Sequence, residues 1–200
     1  MGEVVATPLP LVDHGQMVRH EPPLLTIHES FRSVVSRQAD AIALIDLQGQ
    51  MTYGELDQWS DDLAERLSRY SVGPGQAVGV AMARSRATVA LYLAILKVGS
   101  AYVPLDPAAP AGRVQGMISD AELALVVLDV PGSITLGNVP VVTIAALSEA
   151  DPVFIGAEGG SRGSAITAVN AEAPANLIFT SGSTGRPKAG VVAHRGVVAM

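Results

Sequence analysis

The stretch Ala175–Val192, ANLIFTSGSTGRPKAGVV, joins an apolar run to a loop of a very different kind. From Phe179 to Gly190 it holds four small hydroxyl residues, three glycines, a proline and a lysine. Glycines allow consecutive backbone N–H groups to point into one concavity and let an anion approach closely. The hydroxyls of Thr180, Ser181, Ser183 and Thr184 add short donors, and Lys188 adds a full positive charge. Gly/Ser-rich segments are also the material of solvated linkers, so composition alone leaves linker and phosphate cradle both open. The apolar strand before the loop and the Val191–Val192 pair after it favour the cradle. It is not a Walker loop: Gly182 and Gly185 have only two residues between them, and Pro187 separates Arg186 from Lys188.

Upstream, strands and helices alternate. Ile27, Phe31, Val34 and Val35 fall on one face of a helix from Thr26, with Thr26 and Glu29 in capping-box spacing. Residues 41–46, the turn 47–50 and the return at Met51–Tyr53 predict a hairpin. Thr52 and Glu55 repeat the capping-box spacing before an amphipathic helix carrying Leu56, Leu63, Ala64 and Leu67. A short buried strand is expected at 77–82, and a helix apolar nearly all round at 87–98. A run at 101–106 follows, where Pro104 predicts an edge strand or an early end. A polar helix at 111–121 and strands near 123–129 and 140–144 come next. Residues 148–174 are small, polar and glycine-rich, and read as a long surface connection. The alternation predicts an α/β fold with a largely parallel sheet flanked by helices.

The whole sequence sets limits on function. It has 200 residues, 48% of them apolar and 16% charged, which is a globular composition. A net charge of −6 without a basic run argues against a nucleic-acid partner. With no cysteine there is no disulfide, thiolate zinc site or cysteine nucleophile. His14, His20, His28 and His194 lack metal-ligand spacing, so no metal site is expected. The most apolar stretch, 87–96, is half of the roughly 20 residues that a membrane span needs. The amino terminus lacks the pattern of a signal peptide, and a soluble, cytoplasmic protein without membrane contact is expected. Residues 1–25 are proline-rich and aperiodic, and read as an extended lead-in or interdomain linker.

Three ordered motifs carry a resemblance. They are MTYGEL (Met51–Leu56), LKVGSAYVPLDPAAPAGR (Leu96–Arg113) and TSGSTGRPKA (Thr180–Ala189), the last followed by HRG at His194–Gly196. Over residues 26–200 the chain resembles the adenylate-forming enzymes, specifically the N-terminal part of nonribosomal peptide synthetase adenylation domains. The AYVPLDP segment looks like the amino-acid-activating branch rather than acyl-CoA or aryl-acid ligases.

The resemblance implies an ATP- and Mg2+-dependent ligase. Such an enzyme joins an amino-acid carboxylate to the α-phosphorus, releases pyrophosphate and passes the acyl group to a peptidyl carrier protein. It gives the phosphate-binding role to Thr180, Ser181, Gly182, Ser183, Thr184, Gly185 and Lys188. No catalytic residue is expected within these 200 residues. Tyr53, Glu55, Trp59, Tyr102, Pro104, Asp106 and His194 are expected to cap, pack or shape turns rather than touch substrate. Ala189, Gly190 and Ala193 depart from the family's usual glycine, valine and glutamate without removing a phosphate donor. The family's later substrate-pocket, adenine, ribose and catalytic-lysine motifs have no counterpart here. The chain is therefore expected to grip phosphate as a fragment that does not complete adenylation by itself; the alternatives are an acyl-CoA or aryl-acid ligase fragment, or a non-catalytic remnant that needs a partner chain.

Overall fold

The computed structural model describes residues 25–132, 138–149, 167–180 and 188–198. Helix α1 (Ile27–Gln38) and α2 (Tyr53–Leu67) each start with the capping box that their sequences encode. Thr26 accepts from the Glu29 N–H and Thr52 from the Glu55 N–H, while each glutamate bonds back to the cap's own N–H. That satisfies two otherwise orphaned donors at each helix start, contributing about 1 kcal/mol per cap. Strands β1 (Ile42–Asp46) and β2 (Gly49–Thr52) form the expected antiparallel hairpin, with Asp46 opposite Gly49. Arg86 ties the hairpin down by pairing with Asp46 and donating to the Gly49 carbonyl.

The main sheet has six strands in the order β6-β5-β3-β4-β7-β8. They are β3 (Ala77–Ala81), β4 (Ala101–Pro104), β5 (Leu125–Leu128), β6 (Val141–Thr143), β7 (Pro174–Thr180) and β8 (Lys188–Ala193). All neighbours run parallel except β7 and β8. The chain moves from β3 through α3 (Arg86–Lys97) to β4 on one side, then back through α4 (Ala111–Asp120) to β5 on the other. Right-handed crossovers in opposite directions place the two helices on opposite faces of the sheet.

Both faces are therefore packed, and the strands alternate between two cores. Val78, Val80, Leu125 and Val127 face α2 and α3, where Leu63, Leu67, Leu91 and Ile95 are buried. Ala77, Ala81, Val126 and Leu128 face α4 through Val114, Met117 and Ile118. Each large aliphatic side chain removed from water in this way contributes about 1.5–3 kcal/mol.

Two expectations change in detail. The run at Pro104 does not form an edge strand: β4 lies inside the sheet, and only its early end at Pro104 stands. Proline is tolerated there because β4 donates to β3 from alternate residues, Ala101 to Gln76 and Leu105 to Val80, so the missing N–H of Pro104 breaks no bond to β3. The connection before β7 is not all at the surface. Residues 150–166 lie outside the described residues, but the Thr167 N–H donates to the Lys97 carbonyl at 2.8 Å and Ala171 is buried. Gly99, at φ +82°, makes room for it: a Cβ there would meet Val169 at 3.0 Å. A short helix α5 (Ile144–Ser148), capped by Thr143, had no signal in the sequence pattern.

Candidate functional site

Ser181–Pro187 lies outside the described residues, so of the seven loop residues singled out in the sequence the structure places Thr180 and Lys188. It places them opposite one another. Strands β7 and β8 run antiparallel in the register Thr180↔Lys188, Phe179↔Ala189, Ile178↔Gly190. Residues directly opposite in such a ladder project to the same face with Cβ atoms about 5 Å apart. The two ends of the seven-residue loop are thus held one rung apart, and both Thr180 and Lys188 are exposed. Since β7 runs parallel to β4, and β4 to β3, the loop leaves from the carboxyl edge of the sheet. That edge is where α/β sheets ordinarily take ligands.

Between Pro174 and Ala193 the charged residues are Arg186 and Lys188, both basic. Asp106 lies in the turn after β4, the strand beside β7. Two cations within one short loop suit a polyanion.

Along β7 the alternation assigns Phe179 and Leu177 to the α4 core, where both pack. Asn176, Ile178 and Thr180 take the other face. Asn176 lies beside Tyr102, whose hydroxyl accepts from its amide at 2.9 Å. Tyr102 stacks on Tyr92 with centroids 4.2 Å apart. Burial, with Tyr102 nearby, holds the Tyr92 hydroxyl above its usual range. The expected packing role of Tyr102 agrees with these contacts. The partnership with Asn176 was not legible, because 74 positions separate the two residues. Asp106 shapes its turn by accepting the Ala108 N–H at 2.9 Å. Trp59 packs at the edge of the α2–α3 core.

His194 is buried at 1% exposure and begins α6 (His194–Val198) directly after β8. Its own N–H bonds the Ala173 carbonyl, and the Arg195 N–H bonds that of Ala171. These bonds lock the end of β8 to the segment that leads into β7. A separate cavity of about 540 Å³ lies at the opposite edge of the sheet, against Gln76, Ala77, Ala101, Ala124 and Pro174. It is remote from the loop, and the loop's chemistry gives the better site.

Known proteins resemble this sequence and share this fold. The family model for AMP-binding enzymes matches residues 31–200. The chain belongs to that family. Among AMP-binding relatives it is 35% identical over 192 residues to malpinin synthetase of Mortierella alpina. It is 39% identical over 189 residues to the nonribosomal peptide synthetase atnA of Emericella nidulans. These matches take in 94% and 91% of this chain, but only 2% and 3% of the respective relatives. The fold matches the N-terminal subdomain of NpsA from Klebsiella oxytoca with a TM-score of 0.74 and 28% identity, over 86% of this chain and 43% of that one. An adenylation–carrier-protein fusion of NpsA and ThdA matches with a TM-score of 0.77 and 28% identity, over 89% of this chain and 34% of the fusion. The chain is the N-terminal part of a peptide-synthetase adenylation domain, as its motifs indicated. Among the described residues no helix is long and apolar enough to cross a membrane.

Proposed function

We propose that this chain holds the triphosphate end of ATP for an amino-acid adenylating enzyme. The observation that carries the reading is the β7–β8 arm, which presents Thr180 and Lys188 from one rung at the carboxyl edge of the sheet. The donor set fits the ligand. A threonine hydroxyl and an ammonium flank a loop with three more hydroxyls, two glycines and no acid. Thr180, Ser181, Gly182, Ser183, Thr184, Gly185 and Lys188 would hold the β- and γ-phosphates, with Mg2+ as their counter-ion. ATP supplies an activated phosphorus, at which a carboxylate displaces pyrophosphate to give an acyl-adenylate. The protein's part is to fix the leaving group and to compensate the charge that grows on it. The antiparallel hairpin suits this, because it holds Thr180 and Lys188, at the two ends of the loop, on one rung.

Residues 26–200 then form part of an adenylation domain, with 1–25 as an extended lead-in or interdomain linker. The acyl group would pass to a carrier-protein thiol in the cytoplasm. The adenine, ribose and side-chain pockets belong to later sequence, so the chain by itself grips phosphate without completing the reaction. An aryl-acid substrate is the second reading, favoured by one observation: the matching NpsA subdomain is known in complex with 3-hydroxybenzoyl-AMSN. The AYVPLDP segment and the peptide-synthetase relatives support the amino acid instead.

ATP–pyrophosphate exchange, driven in turn by a panel of amino acids and of aryl acids, tests the reading on this chain and on a longer product that contains it. Amino-acid-dependent exchange is expected from the longer product only. Exchange driven solely by aryl acids would replace the substrate class, and exchange by the 200-residue chain alone would overturn its incompleteness.

A further inference from the structure

A helix leaves its first backbone N–H groups without helical acceptors, and α1 fills these from different sources. Thr26 N–H goes to Glu29 Oε2 at 2.8 Å, and Glu29 N–H to Thr26 Oγ1 at 3.3 Å. Ile27 N–H goes instead to Nδ1 of His194, 167 positions away, at 3.2 Å. An Nδ1 that accepts has no proton of its own, so the His194 ring is neutral and carries its proton on Nε2. Beside it, His28 is 2% exposed and meets the His194 ring edge-on, with centroids 5.6 Å apart. Its Nε2 lies 3.3 Å from Thr26 Oγ1, whose own proton goes to Glu29 Oε2 at 2.8 Å. Nε2 is therefore the donor, and Nδ1 is buried without a partner.

The surroundings disfavour a proton on either ring. Burial, the neighbouring His194, and the charges of Lys97 on α3 and Arg32 on α1 push His28 down to about 4, against the opposing pull of Glu29. Burial likewise lowers His194, with Glu29 again opposing. The positive end of the α1 dipole adds to both effects. On α6, Arg195 is held by Glu172. Strand β8 brings no titratable group nearer than Lys188 at its far end.

We infer that His194 is a positioning residue for the β8 arm, and that its pairing with His28 makes this anchorage proton-sensitive. With both rings neutral, α1 holds the end of β8 through the Ile27 N–H. Protonation at His194 Nδ1 replaces the acceptor by a second donor facing that N–H. Protonation at His28 puts an unpaired cation into the same buried contact. Among the described strands β8 pairs only with β7, so the His194 end is its other main restraint. That this anchorage positions Lys188 for phosphate rests on the phosphate reading; the anchorage itself does not.

Hydrogen exchange of the 200-residue chain, followed by NMR and corrected for intrinsic rates, separates the two. Buried histidines that resist protonation make stability fall as pH drops below the ordinary value of 6.5 toward the depressed one. Between pH 7 and pH 5 the β8 amides are expected to lose protection about tenfold more than the β3 amides. His194→Ala should show that loss already at pH 7. His194→Asn, whose Oδ1 can replace Nδ1 as acceptor, should largely restore it. Equal pH effects on β3 and β8, or unchanged β8 protection in His194→Ala at pH 7, would overturn the inference. Adding MgATP to the same samples isolates the other reading: a pH-dependent anchor that ATP leaves untouched would retain the anchor and reject the phosphate site.

Discussion

At the scale of single residues, Lys97 is the feature that sequence reading missed most completely. Its side chain is fully buried on a helix otherwise read as apolar. Its Nζ donates to Asp57 Oδ1 at 2.6 Å, Ser60 Oγ at 2.7 Å and Asp61 Oδ1 at 2.7 Å. Arg32 of α1 reaches the same two aspartates, and Phe31 places its ring 5.9 Å from the ammonium. The three acceptor residues lie 36 to 40 positions upstream on α2, so no local pattern announces that a lysine can be buried here. Lys97→Ala is expected to cost about 2–3 kcal/mol in urea denaturation. That is less than for a wholly buried pair, because water reaches Asp61. Lys97→Met keeps the stem's packing and should still cost about 1–2 kcal/mol. Wild-type stability in Lys97→Met would show that the ion network contributes nothing net.

Among elements, legibility followed how local the determining chemistry is. The capping boxes of α1 and α2 are written within four residues, and both form as read. The hairpin, α3, α4 and the parallel strands are also where periodicity placed them. The loop stood out as a motif, through its hydroxyls, glycines and Lys188. What sequence could not supply was the Thr180↔Lys188 rung or the His194–Ile27 contact, which arise from strand pairing and long-range packing. Two glycines test the packing of the elements themselves. At Gly79 on β3 a Cβ would stand 2.7 Å from Leu123 Cδ1 and 2.9 Å from Leu105 Cδ1. Gly79→Ala should therefore destabilise by about 1–3 kcal/mol. Gly116, inside α4, faces open space. Gly116→Ala should stabilise by about 0.5–1 kcal/mol, because it removes backbone freedom from the unfolded chain and fills no occupied volume. Thermal melts of the two variants shifting in the same direction would contradict these placements.

Across the whole molecule, the two edges of the sheet differ. At one, β6 is a three-residue strand backed by α5. At the other, β8 presents Val191 at 62% exposure, while Ile178 on β7 is 48% exposed. These exposed apolar side chains lie on the same two strands as the arm proposed to hold phosphate. The alternation of elements revealed a sheet with two covered faces; its one antiparallel pair was decided by β8, whose pairing partner no short pattern identifies. The central claim is that this arm holds a polyphosphate. It is tested most directly by calorimetric titration of the chain with MgATP, pyrophosphate and AMP, in parallel with Lys188→Ala. MgATP and pyrophosphate should compete for one site, AMP should bind far more weakly, and Lys188→Ala should weaken pyrophosphate about tenfold, the loss of one charge-assisted contact. AMP binding as tightly as ATP, or pyrophosphate affinity unchanged in Lys188→Ala, would contradict the account.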